Sequence, residues 1–395
     1  MKKYLILVVS WLLLGSGQLV KEASDNVWVL PCTELLENYQ DFPAKEWNEV
    51  VLGKGETEHL QVVLNTIPKE KITISSSIPE AFNVHYRMLT DIDGYKDALV
   101  PFVSTIQATG STSVVWLTFE TPRNSQPGTY EYTVSIKTLR NSINLKFKVR
   151  VADYEIPLTP SIPSEFCIDI DNLPDNGSDE QKELWNEFLL SRRIDPYYGK
   201  LIDRNTWRWD NCFSPWPWDD PRSRKLLQDK RFCRFALPCM LEDDELLRMC
   251  NDMEEKGYFD RCYFYIWDEP KTPEHYEQIA KESAHILSLK PNAKMLVPIS
   301  SFLVEGEHKW DYDYTFDFLT KYVKIFPIAA EQYNCENSGA EKFRKLVEPR
   351  AEWWTYVCCG PTGVQPNFLF AQTPFHNRAI MWRVWKEQET GFLYW

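Results

Sequence analysis

Two neighbouring acids, Asp268 and Glu269, directly follow the apolar run Cys262–Trp267 and precede Pro270. Six apolar residues are too few for a typical helix and predict a strand buried on both faces. Proline cannot continue a sheet ladder, so the strand is predicted to end at the acids. Active sites of α/β proteins lie at the carboxyl ends of parallel strands. The two acids are therefore candidate catalytic residues, with capping of the next helix as the alternative.

Two further Asp-Glu dipeptides, Asp179-Glu180 and Asp244-Glu245, occur in polar sequence typical of helices. Acids there are expected at solvated faces or in first helical turns. The dipeptide at Asp268 is distinguished by the buried strand before it.

The elements that position these acids begin at Ser164, where strands alternate with helices. Eight strands are predicted: Glu165–Ile170, Ile194–Tyr197, Phe232–Pro238, Cys262–Trp267, Lys294–Ile299, Val323–Ala329, Glu352–Val357 and Phe392–Tyr394. This alternation predicts a (β/α)8 TIM-type barrel over residues 164–395, with the acids ending its fourth strand. The barrel is predicted to lack its last helix. The chain is expected to be C-terminally truncated, because the eighth strand would otherwise stay uncovered on its outer face.

The preceding residues 25–152 predict a β-sandwich. Seven short runs with strand character are separated by turn residues: Asn26–Leu30, His59–Asn65, Lys71–Ser75, Asn83–Leu89, Ser113–Phe119, Thr129–Lys137 and Asn144–Val151. Residues 153–163 carry three prolines and predict a stiff linker.

The N-terminus has the three parts of a secretory signal peptide, predicted over residues 1–17. Lys2-Lys3 precede the apolar run Tyr4–Leu14, and small residues follow. The run is too short to span a bilayer comfortably. We expect an exported soluble protein, periplasmic or extracellular, without an integral membrane segment.

The composition limits the kinds of molecule that this protein is expected to bind. The 395 residues carry a net charge of −13 without a Lys/Arg cluster, so nucleic acid is not an expected partner. The 16 Trp suit sugar rings as well as protein cores. The ten cysteines are scattered and the six histidines isolated, so we expect neither a disulfide framework nor a zinc site, and no cofactor.

Several motifs together resemble glycoside hydrolase family 123, the exo-acting β-N-acetylgalactosaminidases, and uncharacterised proteins that share its catalytic domain. In the predicted barrel they are Tyr263–Pro270, Trp353–Pro361, Pro366-Asn367, Arg378–Trp382 and Gly391–Trp395. In the predicted sandwich they are Asp97–Pro101, Gln126–Tyr130 and Val151–Pro157. The resemblance runs from about residue 26 to the end of the chain. It implies the sandwich-plus-barrel fold and a carbohydrate substrate, a glycan or glycolipid with a terminal N-acetylhexosamine.

The resemblance also implies substrate-assisted retention, in which the sugar's 2-acetamido oxygen attacks the anomeric carbon and gives an oxazolinium ion. Two enzyme carboxyls that straddle the anomeric carbon stand about 5 Å apart, which consecutive residues hardly achieve. Asp268 is instead predicted to accept the acetamido N–H and balance positive charge. Glu269 is predicted to protonate the leaving oxygen and then deprotonate water.

Other residues are predicted to bind the substrate. Tyr356 is a candidate donor to the acetamido carbonyl, with core packing against Trp354 as the alternative, and Tyr333-Asn334 is a second candidate. The floor of the sugar pocket is predicted to be formed by Trp267, Trp353 and Trp395, although each of them is also a candidate for the protein core. Asn367 and Asp169 are predicted to contact hydroxyls. A loop containing Trp207, Trp209, Trp216 and Trp218 is predicted to form a pocket wall.

The leading hypothesis is a retaining exo-β-N-acetylgalactosaminidase or hexosaminidase. A glycosidase of other specificity on the same fold stays open, as does an inactive carbohydrate-binding protein. Dependence of cleavage on the 2-acetamido group separates the first two.

Overall fold

The protein is represented by a computed structural model. It describes residues 27–34, 48–77, 79, 81–92, 95–101, 105–108, 110–139, 142–169, 173–203, 208–300, 319–334, 340–348, 350–370 and 372–395. The predicted signal peptide lies outside this part. The chain divides into two compact units between Ile156 and Pro157.

The first unit contains two five-stranded sheets. Its strands are β1 (Val27–Pro31), β2 (Glu49–Lys54), β3 (Thr57–Asn65), β4 (Lys71–Ser76), β5 (Asn83–Ile92), β6 (Tyr95–Pro101), β7 (Thr105–Gln107), β8 (Thr112–Glu120), β9 (Gly128–Lys137) and β10 (Ser142–Glu155). The sheet orders are β1-β3-β8-β5-β6 and β2-β10-β9-β4-β7. Inward-facing residues of both sheets share one core, among them Val62, Phe119, Val134 and Phe147, so the sheets form a sandwich.

All seven strands predicted for this unit are present, together with three that the sequence did not indicate. β2 ends beside the glycines of a turn, and β6 carries Asp97 and Pro101. Because these residue types are typical of turns, the local sequence does not predict a strand at either place. β10 continues to Glu155 and takes up the first residues of the predicted linker.

The second unit is built around one nine-stranded sheet. Its strands are β11 (Ser164–Ile168), β12 (Asp195–Asp203), β13 (Arg208–Cys212), β14 (Phe235–Leu237), β15 (Cys262–Tyr265), β16 (Met295–Leu296), β17 (Val323–Ala329), β18 (Glu352–Val357) and β19 (Gly391–Tyr394). Its helices are Pro174–Gly177, Asp179–Ser191, Pro221–Gln228, Asp243–Glu255, Pro273–Leu289, Ala340–Val347 and Pro374–Lys386, and residues 319–322 are also helical. Within the described residues, no helix is long and apolar enough to cross a membrane.

The strand order is β13-β12-β11-β19-β18-β17-β16-β15-β14, and every neighbouring pair except β12–β13 is parallel. The eighth predicted strand, β19, therefore pairs with the first, β11. β13 returns antiparallel along β12, in the place where a regular barrel would pair its second and third strands. Between the two ends, Phe213 N donates to Ala236 O at 2.9 Å. The sheet is thus barrel-like and nearly closed, and the regular TIM-type barrel that the sequence predicts is not established.

Strand alternation sorts the buried side chains into two layers. Phe264, Phe326 and Trp353 pack in an outer core together with residues of the surrounding helices. Tyr263, Trp354, Tyr356 and others form an inner core enclosed by the sheet. Gly391 leaves room for the Trp354 ring in the inner core, because a Cβ at position 391 would lie 2.2 Å from Trp354 Cε2.

Candidate functional site

The site begins with β15, whose alternating side chains face different layers. Cys262 and Phe264 belong to the outer core, whereas Tyr263 and Tyr265 belong to the inner one. The strand ends three residues before Asp268. The chain leaves it at the carboxyl ends of the parallel strands, where loops rather than ladders decide which groups meet.

Asp268 is partly buried and accepts a hydrogen bond from a tyrosine of β15, the strand that precedes it. Tyr265 donates its hydroxyl proton to Asp268 Oδ1 at 2.9 Å. Burial, followed by the negative charge of Glu269, raises the pKa of Asp268 to about 6, although the Tyr265 hydrogen bond opposes the shift. Asp268 therefore changes charge in the range where acid–base catalysis operates.

Glu269 has a backbone conformation that is rare for a residue with a side chain. Its φ of +45° lies in the left-handed region. Tyr356 donates its hydroxyl proton to Glu269 Oε1 at 2.5 Å, and the Lys271 ammonium lies 4.0 Å from Oε2. The side chain remains about a quarter exposed, 27%. Backbone strain of this kind clusters at functional sites, and the strained residue here is the one that accepts the Tyr356 hydrogen bond.

The two acids are thus held by tyrosines of two different strands, Tyr265 at the end of β15 and Tyr356 near the end of β18. Both rings lie in the inner core. Burial is the largest cause that raises the pKa of each phenol, so both hydroxyls remain protonated donors. This pair of hydrogen bonds brings the ends of β15 and β18 into one site.

Trp395 lies at the same carboxyl end of the sheet. Its ring is stacked with Tyr197 at 6.3 Å between centroids and meets Trp209 edge-on at 4.6 Å. Tyr197 is also stacked with Tyr265 at 6.4 Å. An aromatic wall therefore continues from the hydroxyl that binds Asp268 to Trp395, one of the three tryptophans predicted to form the pocket floor.

Two of the predicted platform residues do not belong to this wall. Trp353 is buried in the outer core and meets the Phe343 ring at 5.7 Å. Trp267 is also in the outer core, 4.9 Å from the His275 ring. The structure thus places both rings in the outer core and away from the wall. For Trp353 the reason is alternation along β18, which sends its neighbour Trp354 to the inner core.

Asn367 was expected to contact a sugar hydroxyl, but it is fully buried. Its amide nitrogen donates to the carbonyls of Cys358 and Pro361 at 3.0 and 2.9 Å, and its Oδ1 accepts from the Phe368 N–H at 2.7 Å. The side chain therefore holds the loop after β18, and the structure does not bring it to the carboxylate site.

The remaining predicted residues are scattered. Asp169 is exposed directly after β11, at the expected end of the sheet. Tyr333 and Asn334 end a short 3₁₀ helix after β17, but their side chains lie outside the described part of the structure. Trp207 also lies outside the described residues. Trp216 and Trp218 are buried under arginines, Arg222 at 4.6 Å and Arg248 at 5.4 Å from the ring centroids. Each lines a pocket, but the linings of these two pockets contain neither Asp268 nor Glu269.

Sequence reasoning missed Tyr265 and Tyr197. Tyr265 lies in the apolar run before the acids, a run that by its composition indicates only a buried core strand. Counting alternation along that run places Tyr263 and Tyr265 on one face, which was the available signal. Within the described residues, no group of three or more His, Cys, Asp or Glu is arranged to hold a metal ion.

A carboxylate pair at the carboxyl ends of parallel strands, beside an aromatic wall, is the kind of site that glycoside hydrolases use. Residues 242–395 match the family model described as "Glycoside hydrolase 123, catalytic domain". The resemblance is confirmed for this part, which matches the family 123 catalytic domain and contains both acids.

The chain is also similar to a solved structure from Clostridium perfringens, a family 123 glycoside hydrolase described in terms of glycolipid glycan hydrolysis. The two are 14% identical with a TM-score of 0.56, over 93% of this chain and 78% of the other. A β-D-glucuronidase from Dictyoglomus thermophilum matches with 9% identity and a TM-score of 0.28, over 94% of this chain and 61% of that chain, too weak to support a shared fold. A sequence comparison with curated proteins gives no significant match.

Proposed function

We propose that the second unit is a retaining exo-β-N-acetylgalactosaminidase or hexosaminidase that uses the substrate's own acetamido group as nucleophile. The observation that carries this proposal is the pair of adjacent acids, each bound by its own tyrosine. Consecutive carboxylates are poorly placed to attack and protonate from opposite sides of a ring. They are well placed to serve one side at two points, which substrate assistance requires.

In the first step, the acetamido oxygen bonds to the anomeric carbon while the bond to the leaving oxygen breaks. Glu269 gives its proton to that oxygen, and Asp268 accepts the acetamido N–H. Tyr356 turns from Glu269 to the acetamido oxygen and donates a hydrogen bond to it. In the second step, Glu269 takes a proton from water as water opens the oxazolinium ring, so the configuration is retained.

The likeness to an enzyme described in terms of glycolipid glycan hydrolysis supports a terminal N-acetylgalactosamine on a glycan or glycolipid as the substrate. The predicted signal peptide supports action after export, in the periplasm or outside the cell.

The proposal is tested with Glu269→Gln and two β-N-acetylgalactosaminides, one with a nitrophenyl and one with a methyl leaving group. The methyl glycoside needs acid assistance, and general acid catalysis contributes ~10²–10⁴-fold. We therefore expect kcat/KM to fall by about that factor for the methyl glycoside and far less for the nitrophenyl one. Equal losses on both substrates would contradict the role of Glu269.

Glu245→Gln is the matched control, because it removes an acid from another Asp-Glu dipeptide, in the first turn of the helix Asp243–Glu255, where the Glu245 side chain is 44% exposed. It should leave both substrates unaffected. Cleavage of sugars that lack the 2-acetamido group would instead favour a glycosidase of other specificity.

A further inference from the structure

Two consecutive cysteines, Cys358 and Cys359, directly follow β18 and have no part in the proposed reaction. Their sulfur atoms lie 3.7 Å apart. Cys359 is exposed, whereas Cys358 is partly buried against the inner core that contains Tyr356. The pair therefore combines one accessible thiol with a second thiol within reach of it.

Cys358 also lies near enough to Glu269 to be affected by its charge. Burial is the main cause that raises the pKa of the Cys358 thiol to about 11, and the charge of Glu269 adds to the shift. Cys358 follows Tyr356, the residue whose hydroxyl binds Glu269, by two positions. Asn367 holds the Cys358 and Pro361 carbonyls, so the backbone around the pair is anchored. Because this backbone is anchored, a displacement of the two sulfur atoms also displaces the end of β18.

We propose that Cys358 and Cys359 form a reversible redox site, a disulfide between neighbouring residues that controls the carboxylate site. The oxidant is a small-molecule disulfide such as oxidised glutathione. The Cys359 thiolate attacks one of its sulfurs and releases one glutathione thiolate. The Cys358 thiolate then attacks the mixed disulfide at Cys359 and releases the second. Two electrons pass from the cysteines to glutathione, and the two protons lost by the cysteines end on the released thiols.

The reversibility follows from chain geometry. Consecutive Cα atoms are about 3.8 Å apart across a trans peptide, whereas disulfides usually join Cα atoms about 4.4–6.8 Å apart. A bond between neighbours is therefore strained, and strained or exposed disulfides are the readily reduced, regulatory ones.

Closure also changes the site, a consequence that rests on the proposed function. The sulfurs must approach from 3.7 Å to about 2.05 Å, which displaces the residues after Tyr356. A misplacement of about 1 Å in a catalytic group costs up to ~100-fold in rate. The disulfide form is therefore the slower one.

Formation of the bond is tested on the native protein with oxidised glutathione, by thiol titration and peptide mass mapping. We expect two thiols to be lost, with the peptide that contains both cysteines lighter by two hydrogens, and reduced glutathione to restore them. Cys250, fully buried, is the internal control and should stay reduced. The Cys358→Ser variant should accumulate glutathione on Cys359. If the native protein also stops at that mixed disulfide, or keeps both thiols, the proposal is overturned.

Control of the site is tested by turnover of the nitrophenyl substrate. We expect the oxidised protein to be slower by about tenfold or more, with recovery on reduction, and the Cys358→Ser/Cys359→Ser double variant to be insensitive to oxidised glutathione. Equal rates for the oxidised and reduced protein would overturn the control. Absence of turnover in both forms would count against the proposed function, while the thiol measurement decides the redox site independently.

Discussion

The Tyr265→Phe substitution tests how the ionisation of Asp268 is set. It deletes the hydroxyl that donates to Asp268 Oδ1 at 2.9 Å and keeps the ring in the inner core. A hydrogen bond to a charged group contributes about 1.5–3 kcal/mol, and one pKa unit corresponds to about 1.4 kcal/mol. Because the hydroxyl favours the carboxylate form, its loss should raise the pKa of Asp268 from about 6 by roughly one to two units.

The measurement is the pH dependence of kcat/KM on the nitrophenyl β-N-acetylgalactosaminide, which reports groups of the free enzyme. Asp268 must be ionised to accept the acetamido N–H, so activity should fall as the pH drops through its pKa. We expect this acid limb near pH 6 in the native protein and roughly one to two units higher in Tyr265→Phe.

Tyr276→Phe is the matched control. Its hydroxyl, also buried, donates to the Pro270 carbonyl at 3.4 Å. The acid limb should stay in place in this variant. The reasoning is refuted if Tyr265→Phe leaves the acid limb unmoved, or if Tyr276→Phe moves it equally.

Two further predictions concern burial. Burial, followed by the charge of Asp195, raises the pKa of Glu165 above its ordinary value. The folded state thus keeps a proton that the unfolded chain releases above about pH 4.3, and the free energy of unfolding falls as the pH rises from there toward the folded-state pKa. Glu165→Gln should therefore raise the urea midpoint at pH 8 relative to the native protein and change it less at pH 4; equal changes at both pH values would exclude this explanation. For the two tryptophans, Trp353→Ala should lower the free energy of unfolding by about 3–5 kcal/mol, measured by urea denaturation, whereas Trp395→Ala should mainly raise KM. The reverse pattern would show that Trp353, and not Trp395, contacts the substrate.

Much of the fold was predictable because it depends on local patterns. Short β-branched runs and turn residues indicated most strands of the first unit, and the apolar run before Asp268 indicated β15. The antiparallel β13 was not foreseen. It lies in polar, Trp-rich sequence, and its pairing with β12 depends on a partner strand and not on its own composition.

The candidate site was predictable in its acids and not in their surroundings. The sequence placed Asp268 and Glu269 at a strand end, because the apolar run and Pro270 are both local. The assignment of Trp353 to the pocket failed, because the layer that a strand residue faces depends on the orientation of the whole strand.

The sequence by itself determined that two acids end a buried strand and that aromatic residues are plentiful around them. Only the tertiary structure decided that Tyr265 holds Asp268 and that Tyr356 holds Glu269, which lies 87 positions before it in the chain. The physical reason is that a hydrogen bond requires two groups within about 3 Å, and such proximity between distant strands arises from sheet pairing and core packing, which no local pattern encodes.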